Sequence, residues 1–221
     1  MIPVGVLVVA KAPVPGLAKT RLAAALGADV AADIAAAALL DTLDAVADCP
    51  AAAKVVALTG NLDDARCADE IRSRLDDFIV IGQRGADLAE RLVNAHRDAA
   101  AATGGLPIVQ IGMDTPQVSP ELLERCAQSL LGSDAVLGLA RDGGWWVLGV
   151  RDAAFAECLR NVPMSTPDTG AVTLAALQDT DIHVELVCEL VDVDTIDDVG
   201  AVRAGCGPGS RFSRATAGVG P

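Results

Sequence analysis

Strongly apolar runs alternate with amphipathic stretches along the first half of the chain. The apolar runs are typical of strands that are covered on both faces, and they span 4–10, 54–59, 78–81 and 107–111. Apolar residues at helical spacing predict helices between and after these strands, over 21–48, 63–75, 87–103 and 120–131. Regular alternation of strand and helix predicts a mostly parallel sheet with helices packed on it.

The second half of the chain is less regular. Two apolar runs, 135–140 and 145–150, are separated by only four residues, which is too short for a helical crossover. They therefore pair as antiparallel neighbours or leave the sheet. The remaining pattern predicts helices over 152–160, 170–178 and 195–204, with a strand over 183–193.

These elements predict an α/β fold with an antiparallel insertion in an otherwise parallel sheet. No internal repeat or second boundary interrupts the pattern, so we expect one domain over residues 1–204. Residues 205–221 are rich in Gly, Ser and Pro, which predicts a flexible C-terminal tail.

The length and composition are enough to bury one sizeable hydrophobic core. The chain has 221 residues, 52% of them hydrophobic, and contains no run of about 18 apolar residues that would cross a membrane. Its first residues lack the basic region and cleavage site of a signal peptide and read as a buried strand. The six cysteines are scattered without a CxxC pair, which indicates free thiols and a cytoplasmic location.

The charge balance argues against a nucleic-acid partner. The formal net charge is −13 and aromatic residues make up 2%, so the chain offers neither a basic track nor stacking platforms. A small phosphorylated ligand remains compatible with this acidity, because a metal ion and a few local cations reverse the sign at one site.

Four polar loops follow predicted strands, and in an open α/β sheet ligands bind beyond the carboxyl ends of strands. These loops are 11–21, 112–116, 141–144 and 192–198. We therefore expect them to meet at one site.

The first loop, KAPVPGLAKTR, has the chemistry of a phosphate cradle. Pro13 stiffens it, Gly16 lets backbone N–H groups approach a ligand, and Lys11, Lys19 and Arg21 converge at the start of a helix. The alternative is that the cations are merely solvated. The loop lacks both the Walker spacing and the GxGxxG pattern, and the latter absence disfavours a nicotinamide oxidoreductase.

The second and fourth loops carry candidate metal ligands. Asp114 stands at the tip of a buried strand, where a carboxylate is solvated, paired or metal-bound. It could hold Mg²⁺ or Mn²⁺ bridging the phosphates, or it could cap its own turn. Asp192 or Asp194 could complete such a site, whereas Asp197 and Asp198 suit the first turn of the closing helix.

The third loop, Asp142-Gly143-Gly144, is open to two interpretations. It could be an ordinary tight hairpin turn. Alternatively, the two glycines have no side chains that would block the approach of an acceptor, and Asp142 is the base that activates the acceptor. Trp145 and Trp146 follow on a strand, so at most one of them faces the site.

The ordered motifs resemble a family of small bacterial glycosyltransferases in the nucleotide-diphospho-sugar transferase superfamily. The matching segments are 11–22, 83–92, 112–116, 142–149, 165–166 and 192–198, and the likeness spans about residues 4 to 202. It implies the GT-A type fold, a three-layer α/β/α sandwich around a mixed seven-stranded sheet. It also implies metal ligation by Asp114 with Asp194 as the second ligand. The first loop is similar to that of guanylyltransferases acting on phospholactate or phosphoenolpyruvate.

Together, the motifs and the resemblance predict a transferase that uses Mg²⁺ or Mn²⁺ and a nucleotide-activated donor. Lys19, Arg21 and the metal would stabilise the phosphate charge, and Asp142 would act on a small-molecule acceptor. The expected nucleotide contacts are Lys11, Pro13, Gly16, Lys19, Arg21, Gly112, Asp114, Gly143 and Gly144. The resemblance favours glycosyl transfer from a nucleotide sugar. Nucleotidyl transfer from an NTP to a phosphorylated acceptor, and non-catalytic nucleotide binding, are the alternatives.

The chain departs from the family pattern at two places. Trp145 and Trp146 stand where the family usually has two tyrosines, so the ring remains and the hydroxyl is lost. Met164 stands where the family usually has a tryptophan, which exchanges a stacking ring for a flexible thioether.

Three further polar residues are expected to have structural or solvent-exposed roles rather than functional ones. His96 and His183 are expected to be structural, since no zinc spacing surrounds them. Arg91 is expected on a solvated helix face, with the phosphate site as the alternative.

Overall fold

The computed structural model describes residues 1–219 and contains one seven-stranded sheet. Its spatial order is β3-β2-β1-β4-β6-β5-β7. The strands are β1 (Ile2–Lys11), β2 (Ala51–Thr59), β3 (Ile79–Gly82), β4 (Ile108–Gly112), β5 (Ala135–Leu139), β6 (Trp145–Val150) and β7 (Val184–Leu186). The seven strands confirm the number that the resemblance implies.

Eight α-helices surround the sheet within the described residues. They are α1 (Thr20–Leu26), α2 (Ala28–Asp48), α3 (Ala68–Leu75), α4 (Leu88–Ala102), α5 (Pro120–Gly132), α6 (Thr169–Gln178), α7 (Ile196–Gly205) and α8 (Arg211–Ala215). Two 3-10 segments, Leu62–Asp64 and Ala153–Asn161, replace parts of two predicted helices. Over residues 1–219, no helix has the length and apolarity to cross a membrane.

The pairing of the strands confirms the predicted mixed sheet. β1 lies parallel to both β2 and β4, and β2 lies parallel to β3. β6 runs antiparallel to both β4 and β5, as the short connection between β5 and β6 requires. β7 closes the sheet parallel to β5.

Helices cover both faces of the sheet, and the alternation of side chains on β4 shows which face is which. Val109 and Ile111 lie in the apolar cluster that contains residues of α2 and α5. Ile108 lies in a separate cluster with Ala95 and Ala99 of α4. The result is the three-layer α/β/α arrangement.

Two predicted elements are interrupted in the structure. The helix predicted over 21–48 breaks at Gly27, whose φ of 88° lies in the left-handed region that favours glycine. The strand predicted over 183–193 pairs regularly only along β7. Beyond it, the chain keeps single contacts, including the isolated bridge between Ala140 and Leu190.

The flexible tail predicted over 205–221 is corrected by the structure for the segment around α8. Phe212 is fully buried and packs in a cluster with Leu22 and Ile34. Arg211 forms ion pairs with Asp41, Asp44 and Glu70. Burial of an aromatic ring offsets the cost of ordering a short glycine-rich segment, which composition alone does not reveal. Residues 220 and 221 of the predicted tail lie outside the described residues.

Replacement of the Phe212 ring tests this docking. Phe212→Ala should lower the free energy of unfolding by about 3–5 kcal/mol, because a fully buried ring leaves a cavity. Arg214→Ala, at an exposed position on the same short helix, is the matched control and should change stability by less than about 1 kcal/mol. Equal effects of the two substitutions in urea denaturation would contradict the docking.

Candidate functional site

A cleft of about 870 Å³ opens at the carboxyl ends of β1 and β4. All four predicted polar loops contribute to its lining, as expected for this edge of an α/β sheet. The predicted site residues that line it are Lys11, Lys19, Arg21, Gly112, Asp114, Asp142, Gly144 and Asp194. A shallower depression between Arg97 and Glu157, which form an ion pair there, contains none of them.

Lys19 connects three of the four loops. Its Nζ donates to Oδ2 of Asp114 at 2.8 Å and also to the carbonyl oxygen of Val193. The Lys19 side chain is only 10% exposed, so this ion pair is poorly screened by water. The residue stands immediately before α1 with a φ of 47°, an uncommon conformation for a lysine. The tertiary contacts of the ammonium group therefore hold this turn.

Arg21 makes a second ion pair, with Oδ2 of Asp194. This pair is more exposed, with 64% of the Arg21 side chain accessible. The two residues predicted as metal ligands are thus each paired with a residue predicted to hold phosphate.

Carboxylates crowd the same region. The pKa of Asp192 is raised to about 6, first by burial and then by the nearby charges of Asp114 and Asp142, while Lys19 acts in the opposite direction. Neighbouring carboxylates that disfavour one another's ionisation form a place where a cation is stabilised.

The donor chemistry fits a hard divalent cation, since Mg²⁺ is usually held by one or two carboxylates with phosphate oxygens completing its shell. Over residues 1–219, no group of three or more His, Cys, Asp or Glu is gathered into a ready metal site. Asp114 and Asp194 offer carboxylate oxygens of the kind that Mg²⁺ takes, and each is paired with a cation in this structure.

The turn before α7 fixes the position of Asp194. Oδ2 of Asp198 accepts hydrogen bonds from the backbone N–H groups of Asp194 and Thr195. A capping box formed by Thr195 and Asp198 begins the helix. Asp197 and Asp198 occupy its first turn, where they were predicted.

The structure places three predicted nucleotide contacts outside the lining of the cleft. Pro13 is buried and its carbonyl oxygen accepts from Arg66 N–H. Gly16 turns the first loop with a φ of 77°. Lys11, by contrast, lines the cleft. Its Nζ donates to the carbonyl oxygen of Leu17 at 2.6 Å.

Gly143 is the third of these residues, and it packs against the neighbouring 165–170 segment. Its φ is 91°, and a Cβ there would lie 1.8 Å from the carbonyl oxygen of Pro167. Its own carbonyl oxygen accepts from Gly170 N–H at 2.7 Å. Asp142 Oδ1 accepts from Gly144 N–H at 2.8 Å. The loop is a tight turn, and it also borders the cleft through Asp142 and Gly144.

The side chains of the two adjacent tryptophans lie in different environments. Trp146 is buried, and its Nε1 donates to the carbonyl oxygen of Cys188 at 2.8 Å. Trp145 is half-buried at the border of the cleft and packs against the apolar cluster that contains Leu92. Met164 packs on the same cluster and also lines the cleft.

Two further residues line the cleft, Gln110, which was not predicted there, and Arg91, which was expected on a solvated helix face with the phosphate site as the alternative. Gln110 is 1% exposed. A polar residue inside the apolar run PIVQI was the signal for it. By contrast, His96 is fully buried outside the cleft lining, and burial lowers its pKa to about 3, so the ring is neutral.

A matched pair of substitutions tests the geometry of the third loop. Gly143→Ala should destabilise the protein by about 2 kcal/mol or more, since Cβ would collide with Pro167 and the backbone conformation disfavours alanine. Gly144→Ala should cost less, because its Cβ would approach no atom closer than 3.1 Å, an oxygen of the Asp142 side chain. Thermal unfolding compares them, and a Gly144→Ala protein less stable than Gly143→Ala would rule this arrangement out.

Solved structures resemble the whole described fold. A protein of Desulfovibrio desulfuricans G20, described as a "putative nucleotide-diphospho-sugar transferase", is 26% identical with a TM-score of 0.84, and the likeness covers 99% of this chain and 96% of that one. A nucleotidyl transferase from Methanothermobacter thermautotrophicus is 20% identical with a TM-score of 0.56, covering 96% and 98%. Rv0371c from Mycobacterium tuberculosis H37Rv, solved with manganese, is 20% identical with a TM-score of 0.50, covering 90% and 97%.

The last two likenesses show the fold alone, and the first confirms that the chain is similar to nucleotide-diphospho-sugar transferases. Among curated proteins, none matches the chain. A family model described as "Uncharacterized protein conserved in bacteria (DUF2064)" matches residues 42–166, which is more than half of the sequence. The chain therefore belongs to the DUF2064 family.

Proposed function

We propose that the protein is a divalent-metal-dependent transferase with a nucleotide-activated donor, and that it transfers a glycosyl group. The observation that carries the proposal is the double ion pair in the cleft. Lys19 and Arg21 offer cations to a phosphate chain, and their partners Asp114 and Asp194 offer oxygen ligands to a metal. The likeness to a nucleotide-diphospho-sugar transferase over almost the whole chain supports it.

Binding of the donor exchanges the partners of these four side chains. Phosphate oxygens would take the place of the carboxylates beside Lys19 and Arg21, and the carboxylates of Asp114 and Asp194 would then be free to hold a divalent cation. Either ligand alone would leave a charge without its partner in a site where Lys19 is largely shielded from water, which is costly. Metal and nucleotide should therefore favour each other's binding.

The same residues then act on the leaving group. During glycosyl transfer the nucleoside diphosphate gains negative charge at its terminal phosphate, and donors already aimed at that charge stabilise the transition state. Lys19 acts as a compact cation, whereas Arg21 presents a planar fork that suits two phosphate oxygens. A bound metal would supply further charge stabilisation at the phosphates as a Lewis acid.

Asp142 is the proposed base for the acceptor hydroxyl. Its carboxylate borders the cleft, and the hydrogen bond from Gly144 N–H occupies Oδ1. Oδ2 is free to accept the proton of the acceptor hydroxyl, and the oxygen of that hydroxyl then attacks the anomeric carbon of the donor.

Nucleotidyl transfer is the second candidate. It would use the same cations and metal with an acceptor that is already an anion and needs no base. The hydrogen bond from Gly144 N–H to Oδ1 of Asp142 is compatible with it, because this reaction needs Asp142 only as a residue of the turn, whereas glycosyl transfer also uses Oδ2. The reaction products distinguish the two candidates, and a protein that binds nucleotides without product would be the non-catalytic alternative.

A thermal-shift panel tests the proposal. Nucleoside diphosphates, nucleotide sugars and NTPs should raise Tm strongly only together with Mn²⁺ or Mg²⁺, since ligands that bind the folded state stabilise it. Release of a nucleoside diphosphate from a nucleotide sugar would identify glycosyl transfer, and pyrophosphate release from an NTP would identify nucleotidyl transfer.

Asp114→Asn is the control for that panel, because it keeps the shape of the side chain and removes the charge. It should abolish the metal-dependent part of the Tm shift. No Tm shift with any nucleotide in the unmodified protein would refute the proposed function, and an unchanged shift in Asp114→Asn would remove Asp114 from the metal site.

A further inference from the structure

Gln110 has a buried polar atom with no partner. It lies in the middle of β4 and is 1% exposed, and its Oε1 accepts no hydrogen bond from the residues that the structure describes. Leaving a buried amide oxygen unpaired is unfavourable, so such groups usually have a function or a partner outside the protein. Because Gln110 lines the cleft, a ligand is the natural partner.

The direction of the side chain follows from its neighbours on β4. Ile108 packs with residues of α4, whereas Val109 and Ile111 pack on the opposite face. Since side chains alternate along a strand, Gln110 faces the α4 side.

The next residue on that face, about 7 Å further along, is Gly112. Gly112 has no side chain, and a Cβ there would lie 2.6 Å from Oδ1 of Asp114. Gln110, the space over Gly112 and the Asp114 carboxylate therefore follow one another along one wall of the cleft. A group held by Gln110 would lie next to the proposed metal and reacting phosphate.

Trp145 supplies the complementary group. Its Nε1 is buried and has no acceptor among residues 1–219. The indole, like Val9 and Met164, packs against the apolar cluster that contains Leu92. A free acceptor on Gln110 and a free donor on Trp145 thus line the same cleft.

We propose that Gln110 and Trp145 form a subsite for the hydroxyl groups of the non-nucleotide part of the substrate, a neutral polyhydroxylated ring. Hydroxyl groups both donate and accept, so they satisfy the amide oxygen and the indole N–H together. The C–H face of such a ring packs on an aromatic side chain. This inference rests on the proposed function, because the phosphates at Lys19 and Arg21 place the ring here. The ring belongs either to the donor sugar or to a sugar acceptor.

Gln110→Met tests the subsite, since methionine has a similar shape and no hydrogen-bonding amide. The Kd values of GDP, GDP-mannose, UDP and UDP-glucose with Mn²⁺ are measured by calorimetry. We expect the variant to bind the nucleotide sugars about three- to tenfold more weakly and the diphosphates unchanged. Its Tm without ligand should rise by about 2–4 °C, because an unpaired buried oxygen has been removed. Trp145→Phe should weaken the sugars selectively, and its Tm should not rise, because the smaller ring also loses packing against the apolar cluster.

A second probe, methyl α-glucoside added with nucleoside diphosphate and Mn²⁺, distinguishes the two sources of the ring. Binding of the glucoside that Gln110→Met weakens would assign the subsite to an acceptor, and selective loss of the nucleotide sugars would assign it to the donor. His96→Leu is the matched control, because His96 is also buried with unpartnered polar atoms but does not line the cleft. It should leave sugar selectivity unchanged.

Failure of this inference is distinguishable from failure of the proposed function. If the diphosphates bind but Gln110→Met and Trp145→Phe leave the affinities for all sugar probes unchanged, the subsite is overturned and the transferase proposal stands. If no nucleotide binds, the transferase proposal fails. The binding of methyl α-glucoside in the absence of nucleotide then tests the subsite by itself. Loss of its binding in Gln110→Met supports the subsite, and absence of binding to the unmodified protein overturns it.

Discussion

The ion pair between Lys19 and Asp114 is the interaction on which the organisation of the cleft depends. It joins the loop after β1 to the loop after β4, and the contact of Lys19 with the Val193 carbonyl adds the segment before α7. An ion pair in such a shielded place is weak evidence for stability, because desolvation offsets much of its attraction. In the proposed function each partner binds a ligand of opposite charge, which gives the pair a role other than stability.

The sheet explains why these groups meet. β1 and β4 are neighbours in space, although β2, β3 and their helices separate them in sequence. The parallel pair ends at one edge, where both loops emerge. The antiparallel strand β6 starts at that edge, which brings Asp142 and Trp145 to the same cleft. This antiparallel strand, β6, therefore adds residues to the lining of a cleft that the parallel strands alone would leave open on that side.

Much of the fold followed from local patterns in the sequence. Buried strands appear as apolar runs, and the four residues between β5 and β6 required antiparallel pairing. The features that the sequence did not predict depend on tertiary contacts. The burial of Phe212, the collision that Gly143 avoids at Pro167, and the ion pairs of Lys19 with Asp114 and of Arg21 with Asp194 all join segments that are distant along the chain. Gln110 was visible as a polar residue in an apolar strand, but its free oxygen was not.

In the proposed reaction, metal and nucleotide bind as coupled ligands, because each takes one partner of the same ion pairs. The most direct test is the Kd of Mn²⁺, measured by calorimetry with and without a saturating nucleoside diphosphate. We predict that the nucleotide tightens Mn²⁺ binding about tenfold or more, and that Lys19→Met binds Mn²⁺ alone more tightly and loses most of this coupling. Equal Mn²⁺ affinities with and without nucleotide would contradict the account.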